Sequence, residues 1–279
     1  MESLEAELDR ARELSVADLA DAIESIGFEC TRCGACCKGY TPNADDGVAE
    51  GDGAGVETED DRSHAEPHTA TVFPEEVREL LATLGNEHAV EDSVPGAEDS
   101  AAGDGSEDGS DDATDGEYDW RDVARPMPYG LDESTTGEPV GETFEWALQT
   151  DACGNCTFYR ETDGRGACTV HEDRPLVCRT YPFSVALGGT SQPMGEAVDE
   201  AGMVRAHECE GLGRDISRSE AEDLADALKR RAVRELEEAI GVRDAYRPAG
   251  DVDGVVVHDS EGQKRPDGTP IDGDRTERS

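Results

Sequence analysis

The chain has 279 residues, of which 35% are hydrophobic and 5% aromatic. That composition allows one or two domains with a core smaller than the length suggests. A formal net charge of −42, from 67 acidic and 25 basic residues, excludes a basic surface for nucleic-acid phosphates or anionic lipid.

The acidity is spread along the chain. Residues 43–66 hold nine acids and one arginine, and residues 86–118 hold twelve acids and no base. With the tail 249–279 also set aside, the remainder still carries −18. This balance is similar to that of proteins from salt-accumulating halophiles, where high salt screens the repulsion between carboxylates. The first residues are acidic and lack the apolar stretch of a secretion signal, and no apolar run approaches a membrane span. These features predict a cytoplasmic protein with no membrane and no nucleic-acid partner. A reducing compartment favours thiolate–metal bonding over disulfides.

In chain order, residues 3–26 place Leu4, Leu8, Ala11, Leu14, Leu19, Ile23 and Ile26 at near-helical intervals. Ser15, with Asp18 three residues on, marks the start of a second short helix. Residues 43–66 read as a disordered insertion rich in Gly, Asp and Glu. A short strand follows over 68–73. Pro74 then opens an amphipathic helix that Gly85 ends. Residues 86–117 read as a second disordered loop. Strands are predicted over 142–150, 167–171 and 204–207. Residues 217–240 carry the longest amphipathic pattern, with Ala221, Leu224, Ala225, Leu228, Ala232, Leu236 and Ile240 on one face. Residues 248–279, rich in Gly, Asp and Pro, read as a disordered tail. The chain thus divides into a helical segment at 1–27, a cysteine-rich domain at 28–213 interrupted by the two loops, a helix at 214–247 and the tail. The predicted fold class is α+β: a small, irregular, metal-centred domain with short strands between an N-terminal and a C-terminal helix.

The nine cysteines carry the chemistry. Four lie in the run Cys30-x2-Cys33-x2-Cys36-Cys37, four more are Cys153, Cys156, Cys168 and Cys178, and Cys209 follows alone. A C-x2-C turn brings two sulfurs to one ion, and Gly34 and Gly154 suit such turns. The first run resembles the opening of a bacterial ferredoxin motif, but Cys37 stands where three spacers, a cysteine and a proline would follow. Adjacent Cys36 and Cys37 are expected to point apart and serve two different metals, or to leave one reactive thiol. Two four-ligand sites with one thiol over, or one site with extra cysteines, both fit the count. Positive residues gather here: Arg32 and Lys38 by the first run, and Arg160, Arg165, Arg174 and Arg179 by the second. Four thiolates on Zn²⁺ leave about −2, which guanidinium groups offset.

His171 and His207 read either as ligands or as residues packed near the site. His64, His68 and His88 read as solvated. Tyr181-Pro182-Phe183 reads as a cover over the site or as an ordinary aromatic turn. Asp151 and Asp173 are candidate acids that nothing singles out. Phosphate-binding loops, nucleophile elbows and HExxH motifs are absent from the sequence.

The cysteine run, together with Cys153-x2-Cys156, Cys168-Thr-Val-His171-Glu-Asp-Arg174-Pro175-Leu-Val-Cys178-Arg179-Thr-Tyr181-Pro182-Phe183 and Cys209, resembles the YkgJ-type cysteine-cluster proteins, the zinc- or iron-chelating CxxCxxCC domain. The resemblance covers roughly 28–41, 67–85 and 140–212; the two acidic insertions depart from it. It implies metal or iron–sulfur binding, and members labelled Fe–S oxidoreductases imply redox chemistry with a partner protein. The favoured reading is an iron–sulfur cluster or iron held by the nine cysteines. The alternative is zinc stapling a non-enzymatic binding module. A third reading, a methyltransferase-like protein, comes from a flagellin lysine methylase that resembles the cysteine region.

Overall fold

The computed structural model describes residues 3–39, 66–91, 118–162, 165–188, 195–198, 202–250 and 253–271, with side chains of the third helix described as far as Gly85. Its elements run α1 (Leu4–Glu13), α2 (Val16–Ile26), a 3₁₀ turn (Ala35–Cys37), β1 (Thr71–Val72), α3 (Pro74–Glu91), α4 (Trp120–Val123), β2 (Ala124–Pro126) and β3 (Asp132–Glu133). There follow β4 (Pro139–Thr143), β5 (Trp146–Leu148), β6 (Tyr159–Thr162), β7 (Arg165–Cys168), α5 (Leu176–Thr180) and β8 (Phe183–Val185). The chain continues through β9 (Glu196–Ala197), β10 (Val204–Ala206), α6 (Arg218–Ala245), β11 (Val255–Asp259) and β12 (Gly262–Lys264). Helices mixed with short strands make the fold α+β, with a helix near each end of the cysteine-bearing segment.

Helix ends follow side-chain chemistry. Ser15 accepts a hydrogen bond from the Asp18 amide and starts α2. Ser217 and Glu220 form a reciprocal capping box at the start of α6. The apolar face of α6 (Ala221, Ala225, Leu228, Ala232, Leu236) then packs on α1, α2 and the sheet β8–β10–β9. Each leucine buried there contributes about 2 kcal/mol.

A second core forms under β1–β5–β2, α3 and β11 (Val72, Val77, Leu80, Trp146, Leu148, Val257). Its lining includes Cys156, with Cys37, Cys168 and Cys178 packed against it. The cysteine-bearing segments therefore sit along this second core, and α5 joins them to α6.

Several expectations are corrected. Residues 248–279 are not a bare tail: β11 is buried along its whole length and pairs in parallel with β4, giving the sheet β12–β11–β4–β3. The run Val255-Val256-Val257 supplies the β-branched surface that a covered strand needs. Gly85 does not end α3, which continues to Glu91, so 86–91 are helical. The predicted strand over 142–150 is broken into β4 and β5, with Phe144 exposed at the step between them. The rest of the two acidic loops, 43–65 and 92–117, lies outside the described residues.

The C-terminal strands are locked by a buried polar network. Asp259 accepts from Trp146 Nε1 at 2.9 Å and pairs with Lys264 at 2.8 Å, and both charged side chains are at most 5% exposed. Removing one partner of such a pair leaves a buried charge uncompensated. Asp259→Ala is therefore expected to lower stability by about 3 kcal/mol, read from denaturant unfolding. A loss under about 0.5 kcal/mol would place this network on the surface in solution.

Candidate metal centre

The first cysteine run leaves α2 at Gly27, whose φ is 73°. Residues 27–29 then lie antiparallel to 211–213: Glu29 N–H donates to the Gly211 carbonyl at 3.0 Å and Gly213 N–H to that of Gly27 at 3.0 Å. This brings Cys30 alongside the loop of Cys209. Both glycines are forced by contact, since a Cβ at Gly27 would meet the Arg214 carbonyl oxygen at 2.2 Å and one at Gly211 that of Glu29 at 2.4 Å.

The chain next turns through two left-handed residues, Arg32 (φ 58°) and Gly34 (φ 77°), into the 3₁₀ turn. The Tyr159 ring fills the space beside Gly34 and Gly166, so a Cβ at either glycine would lie within 2.7 Å of it. On the 3₁₀ turn the Cys36 and Cys37 sulfurs lie 3.9 Å apart. They do not point apart, because the tightly wound turn brings neighbouring side chains together. Two thiolates on one tetrahedral zinc, at about 2.3 Å each, lie about 3.8 Å apart. The pair thus has the span for one ion.

The second segment crosses directly over the first. Cys156 N–H donates to the Cys37 carbonyl at 2.8 Å. Asp151 builds the knuckle before it, its Oδ1 accepting from the amides of Cys153 and Asn155 at 2.8 and 2.9 Å. Asp151 thereby buttresses the backbone of this turn. Cys168 ends β7 opposite Tyr159 on β6. Cys178 sits on α5, whose Leu176 amide is held by Glu76 Oε1 at 2.7 Å, while Glu76 Oε2 takes the Phe73 amide at 3.0 Å. Burial pushes the Glu76 carboxyl up despite those two bonds.

The thiols act on one another electrostatically. Burial pushes Cys156 up to about 11, with the charges of Cys168 and Cys36 adding to it. Burial likewise raises Cys178, and Cys156, Cys36 and Cys168 add like charge. Cys36 is raised first by its hydrogen bond to Cys37. Cys209 is raised by burial and then by Cys33, Cys36 and Cys30. Two neighbourhoods follow. One joins Cys36, Cys37, Cys156, Cys168 and Cys178; the other joins Cys30, Cys33 and Cys209; Cys36 acts on both. Cys153 is exposed on the knuckle and is not among the leading influences on any of these thiols.

Among the described residues no three His, Cys, Asp or Glu side chains are closed to ligating geometry. The donor set nevertheless suits a soft metal in kind. It is thiol-rich, it comes from four chain segments, and one pair already has a metal's bite. Such thiols deprotonate when a metal replaces the proton.

The basic residues divide by role. Arg174 is the basic residue among the leading influences on the thiols, lowering Cys36, Cys168 and Cys178, and its Nε donates to the His171 carbonyl at 2.8 Å. His171 itself pairs with Glu172 at 3.0 Å. Lys38 bonds Glu161 at 2.8 Å, and Arg160 caps the carbonyls of Thr157 and Tyr159.

Tyr181 stands over the seam, its hydroxyl donating to the Glu208 carbonyl at 2.9 Å. Burial, then the charges of Cys209, Cys36 and Cys33, push its phenol up to about 12. His207 packs edge-on to the Tyr181 ring.

His68 was expected in solvent and is buried instead. Its Nε2 donates to the Cys36 carbonyl at 2.9 Å, and burial lowers its pKa. Its place after a charged loop hid this role; the apolar Thr71–Phe73 segment three residues on was the available signal.

Gly34→Ala tests this packing. Its Cβ would meet Tyr159 Cε2 at 2.4 Å in a left-handed backbone. The variant is expected to fold but to hold less than half the wild-type metal per chain, measured by elemental analysis with circular dichroism as the folding control. Unchanged metal content would separate this turn from the site.

Comparison with known families finds one match. The CxxCxxCC model, described as "Putative zinc- or iron-chelating domain", matches residues 119–210, about a third of the chain. That stretch contains Cys153, Cys156, Cys168, Cys178 and Cys209, and it stops short of the Cys30–Cys37 run. No curated protein and no solved structure matches the chain. Residues 119–210 are thus similar to a zinc- or iron-chelating domain, which supports metal binding by this chain.

Proposed function

We propose that the protein is an iron–sulfur protein of YkgJ type with an electron-transfer or redox role, its metal held by thiolates drawn from Cys30, Cys33, Cys36, Cys37, Cys153, Cys156, Cys168, Cys178 and Cys209. The observation that carries this reading is the packing of Cys37, Cys156, Cys168 and Cys178 around one core, with the Cys156 amide bonded to the Cys37 carbonyl at 2.8 Å and sulfur as the main donor. A bound cluster supplies one-electron transfer. The chain's own residues hold the thiols in register, partly exclude water through Tyr181, and offset negative charge through Arg174.

Exposure of Cys30, Cys33 and Cys36 leaves the first run within reach of a partner protein, which suits electron exchange. The acidic surface supports work at high salt in the cytoplasm, with a basic patch on the redox partner. Among the described residues no helix is long and apolar enough to cross a membrane. The second reading, zinc as a structural staple, is favoured by the 3.9 Å span of Cys36 and Cys37.

Anaerobic purification in high salt, with iron, acid-labile sulfide and zinc measured against protein, separates the two. The iron–sulfur reading predicts iron and sulfide in equal amounts and a broad band near ~400 nm. Stoichiometric zinc in a colourless, sulfide-free protein would overturn it.

A further inference from the structure

A cavity of about 1070 Å³ runs from the cysteine seam along α6. Cys36, His68 and Tyr181 line its end at the cysteine seam. Its α6 wall extends from Leu228 to Val242, about 21 Å of helix at 1.5 Å per residue. The opposite wall is the β1–β5 sheet with Phe73 and Trp146. A volume near 1,000 Å³ with apolar walls and a few polar groups is the size of a small-molecule site.

Two buried acceptor atoms in this cavity have no hydrogen-bond donor among the described residues. Nine-tenths buried, His68 spends Nε2 on the Cys36 carbonyl, and its Nδ1 has no partner among the described residues. Glu238 accepts the Ser260 amide on one oxygen at 2.9 Å, and its other oxygen, also buried, has no partner. Glu145, exposed at the mouth, has no ion pair among the described residues; desolvation by the atoms packed about its carboxyl pushes it up, and Glu235 and Glu238 add like charge. The cations lining the cavity are already engaged. Arg231 holds Glu235 at 2.7 Å, Thr180 at 3.1 Å and the Phe183 carbonyl at 3.3 Å, and Lys38 holds Glu161. Arg231 ties the cavity to the helix of Cys178, and Glu238 lies seven residues, about 10 Å, further along α6.

We propose that this cavity binds an elongated aliphatic amine, its carbon chain along α6, one ammonium group at Glu145 and Glu238 and a second N–H donor facing His68 Nδ1. Charge complementarity selects the occupant. A carboxylate would face Glu145 and Glu238 with no uncommitted lysine or arginine among the lining residues, the half-buried Arg125 behind His68 lying outside the lining, whereas an ammonium supplies donors for the two unpartnered acceptors. Because Cys36 lines the same cavity, the ligand would lie beside the first cysteine run. Binding does not require that those thiols hold iron rather than zinc.

The test uses the full, metal-loaded chain in high salt, with metal content measured in each sample. Isothermal calorimetry compares 1,8-diaminooctane, 1,8-octanediol and octanedioate. The diamine is expected to bind once per chain, at least tenfold more tightly than the dianion. Glu145→Gln with Glu238→Gln should remove that preference, and Ala239→Trp, which narrows the cavity beside Glu238, should weaken diamine binding at least tenfold with the fold retained by circular dichroism. No diamine binding, equal affinity for dianion and diamine, or diamine binding unchanged in both variants would overturn the proposal. High salt suppresses the loose binding of any cation to a chain of net charge −42.

Discussion

One crossing of the backbone organises the cysteine region. The Cys156 amide donates to the Cys37 carbonyl, so the knuckle of the second cysteine group rests on the 3₁₀ turn that ends the first. The Tyr159 ring packs against both Gly34 and Gly166 at the same place. Neither contact tolerates a displacement of much more than an ångström. Segments far apart in sequence are therefore brought together by packing and backbone hydrogen bonds. A metal would add cross-links to an arrangement the chain already approaches, and their worth is greatest where they close long loops.

The same economy governs charge. With 25 basic residues against 67 acids, many of the arginines serve as ties between elements. Arg218 of α6 holds Asp21 and Glu24 of α2, Arg243 holds Glu5 of α1, Arg234 holds Glu75 of α3, and Arg78 of α3 holds Glu261. Each exposed pair contributes little alone, about 0–1 kcal/mol, and less in salt. Their placement at the junctions between elements, three of them on α6, still opposes the repulsion that so many carboxylates impose. Arg174 stands apart, because it is the cation acting on the thiols of the first neighbourhood.

The features legible in the sequence are those set by local chemistry. Ser15 and Ser217 mark helix starts because a hydroxyl satisfies free amides at any helix end, whatever surrounds it. The x2 spacing identifies the cysteines because thiolates at that spacing have little other use. What was not legible depends on distant partners. β11 looked like part of a tail because Gly, Asp and Pro surround Val255–Val257; beyond its local hairpin with β12, its place in the sheet comes from parallel pairing with β4, more than a hundred residues earlier. His68 follows a charged loop, and its burial comes from the Cys36 carbonyl, thirty-two residues away. The close sulfurs of Cys36 and Cys37 follow from a turn whose winding is set by Gly34 and the tyrosine packed against it. The grouping of the thiols into two neighbourhoods is likewise a property of the fold, since it places Cys178 of α5 beside Cys156 and Cys209 beside Cys33.

The central claim is that these thiols bind metal. X-ray absorption at the metal edge of the protein, purified anaerobically in high salt, tests it most directly. The account predicts a first shell dominated by sulfur, about four atoms at about 2.3 Å. A shell of nitrogen and oxygen near 2.0–2.2 Å, or no metal bound in stoichiometric amount, would contradict it.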